Sequence, residues 1–191
     1  MNRLAVAARM GLALIVLTLM TPCPGIAGPA SDLVVRLVET ATGATQAPRD
    51  DRLLQKMRDF VDLDDMARAA LGDMSAALTG PLRTRYLASY NGLMVRFVQK
   101  HLGPMRPATL QIVGTRRLDE ANELIVTRVK LGEREREVMW YVRTKAAPRI
   151  VDISYDGALI SEIQRREFAN IVRVNFGDLS ALPDAIDKLN P

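Results

Sequence analysis

Apolar residues recur along most of this chain at spacings of three and four, and over one central stretch they alternate instead. Leu33, Val34, Leu37 and Val38 fall on one helical face, with Ser31-Asp32 placed to cap it. Periodicity weakens over Thr40 to Gln46, and Pro48 closes the segment. A second helix is expected from about Arg49 to Phe60, where Leu53, Leu54, Met57, Phe60 and Val61 recur at helical spacing. In Asp62 to Leu71 carboxylates come first, apolar and alanine residues follow, and Gly72 stands as a stop. That order complements a helix dipole. Leu82 to His101 is the longest expected helix, with Tyr86, Leu87, Tyr90, Leu93, Met94, Phe97 and Val98 as its apolar stripe and Gly103-Pro104 as its end. Gly92 inside it costs roughly 1 kcal/mol relative to alanine, and one reason to keep it would be close approach of another backbone or of a ligand.

The period then changes. Thr109 to Leu118, Glu123 to Leu131, Glu135 to Arg143 and Arg149 to Tyr155 are β-rich runs separated by short polar breaks. The breaks at 119–122 and 132–134 suit hairpin turns, so a largely antiparallel meander is expected. In the last run Val151, Ile153 and Tyr155 alternate with Ile150, Asp152 and Ser154. A turn at Asp156-Gly157 leads into an amphipathic helix, Leu159 to Val174, and a final helix runs from about Ser180 to Leu189. Helices, then strands, then helices give an α+β order. A strand that turns into a helix packed over the sheet encloses a space, to be filled by side chains or by a ligand.

The first segment reads as an address. Arg3 and Arg9 precede an eleven-residue apolar core, Met10 to Met20, and Gly25 and Ala27 are small residues at cleavage-site positions. Residues 1–27 are therefore expected to be an export signal cut after Ala27, leaving 28–191 as one domain. Cys23, the only cysteine, would leave with it, so the mature chain would have no disulfide, cysteine metal site or cysteine nucleophile. Export and a cysteine-free domain fit the periplasm. Removing Arg3 and Arg9 leaves 24 basic against 22 acidic residues, a near balance that gives no support to a nucleic-acid partner.

Catalytic signals are sparse. His101 is the only histidine, and a histidine in a helix's last turn commonly serves as a dipole partner. Paired histidines, H-E-x-x-H, G-x-S-x-G and phosphate-binding glycine loops do not occur in the sequence. Asp152 and Asp156 sit at the expected enclosure, where a buried carboxylate with a raised pKa could act as a general base. The structural alternative is that Asp152 accepts backbone N–H groups and Asp156 shapes the turn. Apolar content stands out more. Leu124 and Val126 oppose Ile125 and Val129, and Val138, Trp140 and Val142 oppose Met139 and Tyr141, as in strands covered on both faces.

From Leu53 to Leu189 the chain resembles the MlaC-type family, also called toluene-tolerance auxiliary proteins, which includes hopanoid-associated HpnM proteins. The resemblance rests on Asp65-Met66-Ala67-Arg68-Ala69-Ala70-Leu71-Gly72, on the long helix after Thr79, and on Val151-Asp152-Ile153 with Asp156-Gly157 ahead of a helix carrying Arg166 and Phe168. Arg149 stands where the family has an aromatic residue and Leu159 where it has a serine, and the family's aromatics near Met74 are missing. The resemblance implies an α+β fold, an antiparallel four- to five-stranded sheet wrapped by helices, similar to an NTF2-like cone with an added helical part. It also implies a periplasmic phospholipid carrier that needs no cofactor. Its partners would be an inner-membrane MCE-domain ABC transporter and an outer-membrane lipoprotein complex, and its task the lipid asymmetry of the outer membrane.

An acyl chain of about sixteen carbons costs on the order of 13 kcal/mol to hold in water, so a carrier must shield it almost completely. Periodicity and the family layout nominate Met94, Phe97, Val126, Trp140, Val142, Ile153, Ile160 and Ile163 as the pocket wall. Arg165 and Arg166 would meet a head group, an acidic docking surface or simply solvent. Two alternatives remain open at this level: a carrier for hopanoid or another terpenoid lipid, and an enzyme on the same cone using Asp152 or Asp156 as base. A third is an adaptor with a filled core.

Overall fold

The computed structural model describes residues 28–43, 51–102, 110–131 and 134–189. The expected export signal with Cys23 and the cut after Ala27, the Pro48 break, Gly103-Pro104 and the 132–133 break lie outside the described residues.

Helix α1 spans Pro29–Gly43, so Ser31 and Asp32 lie within its first turn rather than ahead of it, and the helix continues past the point where periodicity fades. Its Leu33, Val34, Leu37 and Val38 are all buried. Helix α2, Asp51–Met57, is shorter than its apolar pattern. Helix α3, Leu63–Leu71, is capped by Asp62, whose carboxylate accepts from the Asp65 N–H at 3.0 Å. It stops at Gly72, where φ is +57° and an added Cβ would lie 3.1 Å from Arg165 Nε. A 3₁₀ turn, Gly72–Ala77, then leads to α4, Gly80–Phe97, with Pro81 in its first turn. The expected long helix does not stay α-helical to its end: Val98–Leu102 forms a π-helical turn. Among the described residues no other backbone comes within 4 Å of where a Gly92 Cβ would stand; its neighbour there is the Arg96 guanidinium, at 3.3 Å.

The sheet runs β1 (Leu110–Arg117), β2 (Asn122–Leu131), β3 (Arg134–Arg143), β4 (Arg149–Tyr155) and β5 (Ala158–Leu159), in that order and antiparallel throughout. The Asp119 carboxylate builds the first turn by accepting from Ala121 N–H at 2.7 Å and from the Asn122 amide. Asp156 (φ 49°) and Gly157 (φ 83°) form a two-residue loop in the left-handed region, which makes the end of β4 a tight hairpin. The two-residue strand β5 therefore stands between the turn and the helix, and Leu159 belongs to the sheet.

Register decides the faces. Trp140 pairs with Ile125 and Ile153, and Val142 pairs with Ile150, so all of these side chains share the inner face. The irregularity between Val142 and Tyr141 leaves Val151 without an opposing residue and moves Ile150 to the side of Ile153, against simple alternation. The outer face carries Leu124, Val126, Met139, Tyr141 and Asp152. Leu124 is buried there but stands apart from the main apolar core.

Residues 60–62 cover the part of β4 that β5 leaves unpaired. Val61 bridges to Ile150, with Asp62 N–H donating to the Ile150 carbonyl and Ile150 N–H to the Phe60 carbonyl, both at 2.8 Å. Arg143 at the end of β3 pairs with both Asp62 and Asp65, which locks the start of α3 to the sheet. Helix α5, Ile160–Val174, packs on α3 and α4 through Phe168, whose ring meets Tyr86 edge-on at 6.2 Å and Tyr90 at 6.5 Å. Arg165 clamps α5 to α3: Nε and one terminal nitrogen donate to the Ala69 carbonyl at 3.0 and 2.8 Å. Helix α6, Leu182–Lys188, follows a 3₁₀ turn and lies on α4, held by Arg96 donating to the Ile186 carbonyl at 2.9 Å.

Candidate functional site

The space between sheet and helices is packed by the protein's own side chains at its centre. Trp140, Val142, Ile125 and Val138 are each at most 1% exposed. Trp140 Nε1 donates to the Thr127 hydroxyl at 2.9 Å, and that hydroxyl donates to the Val138 carbonyl at 3.0 Å, so the indole N–H and the Thr127 hydroxyl are both satisfied. Towards one end the packing opens into a cleft of about 260 Å³. Leu93 and Phe97 of α4 and His101 of the π-helical turn line it. So do Ile160, Ile163, Gln164 and Glu167 of α5, with Tyr155 at the end of β4 and Leu189 just past α6. The π-helical turn brings His101 over Phe97, with ring centroids 4.6 Å apart, and within 6.3 Å of the Tyr155 ring.

Of the eight nominated wall residues, Phe97, Ile160 and Ile163 line this cleft. Met94 is buried behind it, with its sulfur 3.5 Å from Gln164 Nε2. Trp140, Val142 and Ile153 lie in the packed core, on the face that ends at Tyr155. Val126 points from the opposite face of the sheet, against Gly114 and Met139. Sequence reasoning passed over Gln164. It falls four residues after Ile160 and four before Phe168, a polar side chain on the apolar face, and that spacing was the available signal.

The carboxylates have structural partners. Asp152 accepts from the Ile153 N–H at 2.8 Å, from the Ser161 N–H at 3.3 Å and from the Ser161 hydroxyl, so it ties β4 to the first turn of α5. Burial pushes its pKa up, against the lowering effect of those hydrogen bonds. The serine that works on this turn is Ser161, since Leu159 offers no side-chain cap. Asp156 is exposed and pairs with Arg136 at 2.6 Å. Burial, with Tyr86 and Asp152 adding to it, raises the Tyr90 hydroxyl well above the ordinary tyrosine range, which keeps it a neutral donor to Gln164 Oε1 at 3.0 Å. No group of three or more metal-ligating side chains gathers among the described residues. Nor is any described helix long and apolar enough to cross a membrane.

An antiparallel sheet under a helical layer, with an apolar cleft opening at one end, is the build of a protein that shelters a small apolar ligand. A family profile described as "MlaC protein" matches residues 30–189, and the chain belongs to the MlaC family. Comparison with curated proteins gives no match. Among solved structures the chain is similar to a phospholipid-binding protein from Ralstonia solanacearum, determined in complex with a phospholipid. The two share 16% identity and a TM-score of 0.64, over 84% of this chain and 93% of that one. At that identity the likeness establishes the fold.

Proposed function

We propose that this protein is a periplasmic phospholipid carrier, made with a signal peptide over residues 1–27. In this reading it is the soluble component that moves lipid between an outer-membrane lipoprotein complex and an inner-membrane MCE-domain ABC transporter. The observation that carries the reading is the apolar cleft between α4 and α5, in a chain of the MlaC family whose fold is shared with a protein solved with phospholipid. Phe97, Ile160 and Ile163 make first contact with the acyl chains, and Met94 backs them.

A cleft of about 260 Å³ is below the roughly 300–1,000 Å³ of ordinary ligand pockets, so loading widens it. Tyr155 shares its sheet face with Ile153 and Trp140. An acyl chain entering past Tyr155 therefore meets an apolar file that runs from Tyr155 through Ile153 and ends at the packed Trp140 and Val142. The reading needs no catalytic group, and the bonds that Asp152 makes to α5 give it an architectural role.

Native mass spectrometry of the protein from a periplasmic extract tests this directly. We expect a mature chain beginning at Gly28 with bound phospholipid that delipidation removes. A protein that carries no lipid, and takes none up from vesicles, would falsify the carrier reading. Recovery of a hopanoid in place of phospholipid would redirect it to terpenoid lipids.

A further inference from the structure

We propose that Gln164 is a polar anchor within the cleft, donating its amide N–H to a carbonyl oxygen of the lipid's acyl linkage; this deepens the carrier reading and rests on it. Gln164 is 6% exposed, yet it lines the cleft among apolar side chains. A buried primary amide costs stability unless its donors and acceptor are used. Its Oε1 is committed to Tyr90, whose hydroxyl donates to it at 3.0 Å. The Tyr90 hydroxyl can donate or accept, but the Met94 sulfur on the other side can only accept, so the sulfur sets the amide's orientation with Nε2 towards it. Nε2 has two N–H bonds, and its partner among the described residues is this thioether at 3.5 Å, a weak acceptor that leaves Nε2 with capacity to spare. A strong oxygen acceptor brought into the cleft would displace that sulfur at a gain.

The chemistry of a phospholipid selects which oxygen this is. Its phosphate is an anion and belongs in water, and Glu167, exposed one turn along α5 at the same cleft, repels it. The neutral acceptors next to the hydrocarbon are the carbonyls of the acyl linkages. A carbonyl at Gln164 places the acyl chain against Phe97 and Ile160 and leaves the head group outside the Glu167 rim. The anchor therefore sets how deep a chain enters, and it distinguishes acyl-linked from alkyl-linked lipids.

The test is a competition. The protein is incubated with vesicles containing equal amounts of a diester phosphatidylcholine and the dialkyl ether phosphatidylcholine of the same chain length. Lipid bound to the re-isolated protein is then quantified by mass spectrometry. Wild-type protein is expected to favour the ester about two- to tenfold, the range a neutral hydrogen bond confers. Gln164→Leu is expected to load both lipids without preference. Equal loading by the wild type overturns the inference while leaving the carrier reading standing, and so does a preference that survives in Gln164→Leu. Loading of neither lipid by the wild type overturns the carrier reading, and the inference falls with it. If Gln164→Leu fails to fold, Gln164→Met carries the same test: it keeps the side-chain length, offers no N–H, and is expected to load both lipids without preference, whereas a preference that survives in it overturns the inference.

Discussion

The two ends of the sheet–helix interface are built from similar residues and behave differently. Around Trp140 the space is closed: Trp140, Val142 and Ile150 are fully buried, and the one indole N–H has found the Thr127 hydroxyl. Around Phe97 the space is open, and it is lined by side chains of mixed character, including His101, Gln164 and Glu167. The difference lies in what fills the space between sheet and helices. At the closed end, Arg143 pairs with Asp62 and Asp65 and holds α3 to a sheet face whose side chains interdigitate fully. At the cleft, α5 is pinned by Asp152 to Ser161 and by Arg165 to Ala69, and α6 is held to α4 by Arg85 to Asp184 and by Arg96. Yet α4 ends in a π-helical turn there, and the side chains between these helices leave a gap. One end is suited to stability and the other to taking in a ligand.

Three substitutions would break or sharpen that contrast. The largest effect is expected at the closed end. Trp140→Ala removes the largest fully buried side chain and leaves the Thr127 hydroxyl short of a partner. We expect a loss of about 3–5 kcal/mol of folding stability by denaturant titration. A loss under about 1 kcal/mol would mean that this end is not a packed core.

At the open end Ile163→Ser should do the reverse. Ile163 is 39% exposed and lines the cleft, so its stability cost is expected to be under about 1 kcal/mol, while the fraction of molecules carrying lipid falls severalfold. Unchanged lipid content, measured by mass spectrometry alongside the denaturation curve, would detach α5 from the binding role.

The smallest effect concerns the fastening at Asp152. Burial raises its pKa, so the folded protein holds this proton more tightly than the unfolded chain does. Its contribution to stability is complete below the unfolded carboxylate pKa and is lost as pH rises through the raised folded value. Asparagine cannot titrate. The stability of Asp152→Asn relative to wild type should therefore improve as pH rises through the carboxylate range, with lipid content unchanged. A variant that falls further behind the wild type as pH rises would show that the charged carboxylate is the stabilising form. Loss of a measurable turnover in a properly folded Asp152→Asn protein would revive the enzyme reading.

Much of the architecture was legible along the chain. The helical spacing of Leu33 to Val38, the carboxylate-to-alanine order of Asp62 to Leu71 and the alternation in the central runs are local signals, and each produced its element. Asp156-Gly157 announced a tight turn because few residue pairs accept two positive φ values in succession. Family membership was legible as well, through the apolar-Asp-apolar strand and the turn that follows it.

What the sequence did not decide was which side of each strand would meet the helices, and where the interior would stay open. Val126 and Trp140 both sit in apolar strands, and the pairing register alone sends them to opposite faces. The unpaired Val151 shifts Ile150 inward, a change of one residue that no periodicity records. Phe97 and Val142 are both apolar positions, yet one borders the cleft and the other is sealed, because contacts between segments distant along the chain decide which space is filled. Local chemistry determines the elements of this protein. Packing between distant segments determines where its interior remains open.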